Sequence, residues 1–175
     1  PDAVHSSRLA MIWSVQASQF PPMPDKLAIF DHLTDPAMRQ RMPYPPDSLV
    51  WPLLVHVVDL DLPQSERDWV TERFQTGKRD LSTSYGMVPY DHGKLKHQPA
   101  LGSAPYLLRN VLAKGGVCVD QAHFSSRVMK TFGIPAVKVS GEGRFGGSGH
   151  AWTGFLEAGR GGARFAFTGR YNIDY

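Results

Sequence analysis

The sequence predicts an α+β fold in which a helix carrying the only cysteine packs on a β-sheet. Three stretches predict it. From Val117 to Phe132 the side chains recur with helical spacing. Val117, Gln121, Phe124 and Val128 fall on one side, and Cys118, Ala122, Ser125 or Ser126, and Met129 on the next. Ile134-Pro135-Ala136-Val137-Lys138-Val139-Ser140 then reads as a strand. After a glycine-rich stretch, the segment from His150 to Glu157 reads as another strand, with His150, Trp152, Gly154 and Leu156 on one face.

Along the chain, Arg8 to Val15 has helical spacing at Leu9, Ile12 and Trp13, and Pro21 to Pro24 breaks it. Asp25 is expected to cap a short helix through Leu33. Thr34-Asp35-Pro36 places a cap before a proline at the first helical position, starting a second short helix to about Arg41. Residues 1–46 are therefore expected to be a helical, proline-rich extension, and residues 47–175 the domain proper. Leu53 to Val58 is β-branched and is expected to be a strand, with His56 a structural residue within it. Ser65 and Asp68 imitate a capping box for a helix from Glu66 to Phe74, with Trp69, Val70 and Phe74 inward and Gly77 at its end. Ser82 to Tyr90 holds a further helical turn, and Pro89 to Gly93 a turn. Pro105 opens a helix from Tyr106 to Lys114 that stops at Gly115-Gly116, because glycine tolerates the left-handed conformation of a helix end. Gly133-Ile134-Pro135 stops the cysteine helix in the same way.

A chain of 175 residues is long enough for one compact domain with a sizeable core. The net charge of +3, from 19 basic against 16 acidic residues, is too small and too evenly spread for a nucleic-acid surface. The densest basic cluster, His92 to His97 with Lys94 and Lys96, is expected on a solvated loop. One cysteine excludes an internal disulfide framework and leaves the compartment open. No apolar run reaches the ~18 residues that a membrane span needs, and Ala3 to Phe20 lacks the pattern of a secretory signal. The chain begins at a proline and ends at a tyrosine in mid-pattern. Further domains of a longer chain are therefore expected, with this domain truncated at its C-terminal end.

Cys118 sits in a first helical turn, where backbone N–H groups lack helical partners and carry partial positive charge. That suits a nucleophile, because the thiolate is the reactive form. Bringing a thiol from about 8.5 to about 4–5 takes roughly 5 kcal/mol, and a helix terminus supplies only about 0.3–2 kcal/mol. A cation must supply the rest. A lone cysteine is more often a small buried apolar residue; His150, at the start of a neighbouring strand, is what favours chemistry here. Cysteine and histidine far apart in sequence and close in space are the signature of a thiol enzyme.

Gly116-Val117-Cys118-Val119-Asp120-Gln121-Ala122, Gly133-Ile134-Pro135-Ala136 and His150-Ala151-Trp152 together resemble the transglutaminase-like superfamily. Its core reads Gly-x-Cys with an alanine shortly after, then Gly-Ile-Pro-Ala, then His-Ala-Trp. The match runs from about Ala104 to Arg170. The resemblance implies a papain-like arrangement, with the cysteine helix on an antiparallel sheet that carries the histidine. It also implies a Cys-His-Asp triad, which projects onto Cys118 and His150. The family's acid lies on the following strand and lands near Arg164 to Thr168, which read Arg-Phe-Ala-Phe-Thr with no acid. Asp174 is the nearest downstream carboxylate and is taken as the third member. Thr168, as a neutral acceptor, is the alternative, and Glu157 precedes the expected site.

The implied reaction is thiol-dependent acyl transfer on a protein or peptide substrate. The thiolate attacks an amide carbonyl, the backbone N–H of Cys118 stabilises the oxyanion, and His150 protonates the leaving amine. Water or an amine then resolves the thioester, so the enzyme is a cysteine peptidase-like hydrolase or a cross-linking acyltransferase. No cofactor or metal is required. The missing acid favours an alternative, a binding module that keeps the fold without catalysis. Gly141-Glu142-Gly143-Arg144-Phe145-Gly146 has dinucleotide-type glycine spacing but leads to a strand, so it is expected to be a loop that flanks the cleft and delivers His150. Asp120 and Gln121 are expected to support the first helical turn. No His-x-x-x-His or Cys-x-x-Cys pairing calls for zinc.

Overall fold

A computed structural model describes residues 22, 24–142, 149–159 and 162–169. Among the described residues, seven α-helices precede three strands: α1 (Lys26–Thr34), α2 (Pro36–Arg39), α3 (Trp51–Val58), α4 (Gln64–Phe74), α5 (Ser84–Met87), α6 (Leu108–Lys114), α7 (Cys118–Thr131), β1 (Ala136–Gly141), β2 (His150–Gly159) and β3 (Gly162–Thr168). The strands form one antiparallel sheet in the order β1-β2-β3. Helices and sheet are segregated along the chain, which makes the fold α+β.

Helix α7 is the centre of the packing. β1 and β2 lie against it, and α3, α4, α5 and α6 surround the rest. A helix enclosed on several sides buries more than one stripe; Gln121, Ser125, Lys130 and Thr131 are accordingly buried along with Phe124, Val128 and Met129. Phe124 has no exposed surface. Trp69 meets it nearly edge-on at 6.4 Å, and Phe74 lies tilted at 6.3 Å.

The first helices form as their caps dictate. Asp25 accepts from Leu27 N at 3.1 Å, and Asp35 from Ala37 N at 3.1 Å with Pro36 in the first turn. Ile29, Leu33, Met38 and Met42 belong to the same core cluster as Phe124 and Phe132. The His32 ring donates through Nε2 to Thr131 O at 3.0 Å, tying α1 to the end of α7.

Two expectations are corrected. Leu53 to Val58 is helical, not a strand. Pro52 in the first turn fits a helix start and would interrupt a strand ladder. Burial follows a helical step: Leu54 and Val57 pack inward, while Val55 and Val58 are about half exposed. Helix α4 begins at Gln64 behind Pro63, with no side-chain cap, so Ser65 is not its N-cap. Glu66 turns inward instead. It accepts from Leu108 N and from Arg109 Nε, the latter at 2.8 Å, and so ties α4 to α6. The helix from Gln64 leaves the helical path at Gln75, at φ +65°, two residues before Gly77.

The outer side of α7 carries charge. Arg127 grips Asp61 through two bonds of 2.7 Å, and the buried Lys130 ammonium pairs with Asp59. Burial alone would raise the Asp61 carboxyl; the Arg127 guanidinium outweighs it and holds it below the usual value. Burial, helped by the Arg127 charge, pulls His123 down to about 3.

Two outcomes follow from this core. Phe124→Ala removes a fully buried ring between two aromatic neighbours and should cost about 3–5 kcal/mol in urea unfolding. Between about pH 6.5 and pH 3 the unfolded chain protonates His123 and the folded chain does not, so stability falls as pH falls. The depressed Asp61 adds a further loss only around and below the usual aspartate value of about 4. The urea midpoint should therefore drop between about pH 6.5 and pH 4, and His123→Leu should reduce that drop.

Candidate active site

Helix α6 ends at Gly115, whose φ of +93° suits glycine and whose N–H returns to Val111 O. Gly116 then lies alongside Pro89-Tyr90-Asp91. Its N–H donates to Pro89 O, its carbonyl accepts from Asp91 N, and each bond is 2.9 Å long. A Cβ at Gly116 would sit 2.4 Å from Asp120 Cβ, so the close approach demands glycine.

Val117 is the N-cap of α7, and its N–H donates to Asp120 Oδ2 at 2.8 Å. Asp120 thus holds the first turn, as expected. It has two further partners that the sequence did not indicate. Tyr106 Oη donates to Oδ1 at 2.7 Å, and Lys94 Nζ lies 2.9 Å from both oxygens. The expectation of a solvated loop is therefore corrected at Lys94, whose side chain is only 10% exposed in this pair. Gln121 donates through Nε2 to Val88 O at 2.8 Å.

Cys118 is 8% exposed and clusters with Tyr85, Ala122 and Ala151. Two alanines face one another here, so the start of α7 approaches β2 closely. Tyr85 Oη fixes the strand by donating to Ala151 O at 2.8 Å, and Thr153 Oγ1 pins it again by donating to Ala122 O at 3.2 Å. Burial pushes the Cys118 thiol up. Backbone hydrogen bonding from Ala151, Val119 and Cys118 itself works against that rise, and the charge of Asp120 adds to it. The helix start therefore does not by itself make this thiol acidic.

His150 opens β2 opposite Gly141 of β1. The pleat that turns Ala151 and Thr153 toward α7 turns His150 to the face of Trp152, whose ring centroid lies 6.1 Å from the imidazole. The sulfur packs on Ala151, and His150 is one residue along the strand, about 3.8 Å between Cα atoms. The two backbone positions are brought together at the same end of the strand.

β3 holds no acid for the third member of the expected triad. Asp174 lies outside the described residues. Thr168 sits opposite Thr153, three residues beyond His150, and its hydroxyl donates to Ser82 O at 3.0 Å. Glu157 pairs across the strands with Arg164 at 2.7 Å, far along β2 from His150. The glycine-rich loop expected to flank the site has residues 143–148 outside the described set.

Two clefts open away from the sulfur. One of about 460 Å³ is lined by α1, α2 and α4 residues, including His32, Arg67 and Asp68. One of about 220 Å³ is lined at the far end of β2 by Tyr44, Phe155 and Glu157. Neither includes Cys118 or His150. Among the described residues, no group of three His, Cys, Asp or Glu side chains could hold a metal ion, and no helix is long and apolar enough to cross a membrane. Comparison of the chain with protein-family models, with curated proteins and with solved structures finds no match in any of the three.

Proposed function

We propose that the chain is a thiol-dependent acyl-transfer enzyme with a papain-like, transglutaminase-like core, Cys118 its nucleophile and His150 its general acid–base partner. The observation that carries this is the setting of the sulfur. It starts a buried helix, lies where backbone groups of Ala151 and of the helix's first turn favour its anion against burial, and packs on the residue that follows His150. Such donors stabilise an anion on sulfur, and the N–H of Cys118 can also serve the oxyanion of a tetrahedral intermediate. In this mechanism the imidazole rounds the end of β2 to reach the thiol, and transfer of the thiol proton makes an ion pair. The thiolate attacks a peptide or glutamine-type amide, His150 gives its proton to the leaving amine, and water or a primary amine cleaves the thioester. Asp174 or Thr168 would orient the ring in this scheme.

A second reading is favoured by the same sulfur: burial raises its pKa, and β3 offers no acid. On that reading the chain is a protein-binding module that keeps the fold.

Incubation with labelled casein and a fluorescent primary amine separates the two. The enzyme should release fragments or incorporate the amine, and Cys118→Ala should abolish both while leaving the unfolding free energy within about 1 kcal/mol of wild type. His150→Ala should lower the rate at least 100-fold, about the scale of a lost general acid–base. Turnover that survives Cys118→Ala, or a wild-type chain inert on such substrates, refutes the catalytic proposal.

A further inference from the structure

We infer that Lys94 is a positioning residue for Cys118: its ion pair with Asp120 neutralises the acidic residue of the turn that carries the sulfur. The inference rests on the thiol chemistry proposed above, and it concerns how that site tolerates a carboxylate beside its nucleophile.

Asp120 has two opposed effects. A carboxylate in a first helical turn stabilises the helix, and this one also caps Val117 N. The same negative charge, two residues from the sulfur, disfavours a second negative charge there. A nucleophilic thiol needs the reverse. An uncompensated acid at this position would therefore oppose the chemistry.

The compensation is built rather than incidental. Lys94 Nζ lies 2.9 Å from each oxygen of Asp120, and the two side chains are 10% and 4% exposed. The oxygens already have donors without it: Val117 N on one and Tyr106 Oη on the other. A purely structural cap is thus complete before the lysine arrives, and what the ammonium adds is net charge. Nor is Lys94 a loose surface side chain. Asp91 Oδ1 accepts from Gly93 N and Lys94 N at 2.9 and 3.2 Å, and Asp91 Oδ2 from Ala100 N at 2.7 Å. Asp91 N donates to Gly116 O. One residue therefore shapes the turn that presents the lysine and ties that turn to the approach to Cys118.

The other groups around the pair come from several elements. Burial and then Asp120 raise Tyr106 well above the usual tyrosine value, so it stays a neutral donor. His123, whose ring lies 5.3 Å from that of Tyr106, is neutral above about 3. Lys138 of β1 also feels the Asp120 charge, and Asp61 and Arg127 act on Tyr106 from the outer side of α7. His150 heads β2. Tyr106 meets Asp120 as a neutral donor, and Lys94 brings the ammonium.

Because Cys118 is the only cysteine, its ionisation can be read directly from thiolate absorbance and from iodoacetamide alkylation across pH. The test compares the wild-type chain with Lys94→Met, Asp120→Asn and the double variant, each checked for fold by circular dichroism. Lys94→Met should raise the thiol midpoint by about half a pH unit or more, roughly a threefold loss of thiolate at a fixed pH below it. Asp120→Asn, which leaves the ammonium without its carboxylate, should lower the midpoint, and the double variant, in which neither charge remains, should return toward wild type. Lys94→Arg should restore the wild-type midpoint. Should Lys94→Met fail to fold, Asp120→Asn and the double variant still decide. A midpoint for Asp120→Asn within about 0.2 pH unit of wild type, or a double variant no higher than Asp120→Asn, would overturn the inference, since one pH unit corresponds to only about 1.4 kcal/mol of coupling. The order of midpoints stands apart from turnover. The expected order in an inactive chain keeps the inference and removes the catalytic proposal, and unmoved midpoints in an active chain do the opposite.

Discussion

Where α7 crosses the start of β2, the facing side chains are Ala122 and Ala151, both buried, and the sulfur of Cys118 fills the remaining space with the ring of Tyr85. A larger side chain at either alanine would push helix and strand apart, because a packed interior has no spare volume. The closeness has a direct electrostatic consequence: it puts backbone hydrogen bonding from Ala151 on the sulfur, beside that from the helix's own first turn. The same contact shields the thiol from water, which opposes ionisation. Whatever the site does chemically depends on which of these two effects prevails.

The charged residues of α7 are held by loops that precede it in sequence. Lys94 comes to Asp120, Asp61 to Arg127 and Asp59 to Lys130. Removing one partner of a buried pair commonly costs more than the pair contributes, because a desolvated charge is left behind. These contacts therefore act mainly as registry devices. They fix where the long loops between α3 and α6 lie on the central helix, and so fix the walls around its first turn. Glu66 does the same between α4 and α6.

Much of this was legible in the sequence, and the reason is local. Helix α7 and strands β1 and β2 announce themselves through apolar period and glycine-proline stops, and the structure places them within about two residues of those signals, the usual precision of element ends. Leu53 to Val58 misled because β-branched content is a weak preference that Pro52 and helical packing against α7 override. Lys94, Tyr85 and Glu66 could not be read as they are, since each meets its partner only after the chain has folded back over many residues. One feature was present in the pattern. The alternation that groups His150 with Trp152 also sends Ala151, and not His150, toward the helix.

That alternation makes the pairing of sulfur and imidazole the claim on which the chemistry stands. The direct measurement is an NMR pH titration of the His150 ring, assigned through His150→Gln, in the wild-type chain and in Cys118→Ala. If thiolate and imidazolium pair, the ring should keep its proton to clearly higher pH in the wild-type chain than in the alanine variant. Superimposable titrations in the two chains would mean that the imidazole does not sense the sulfur, and would contradict the account.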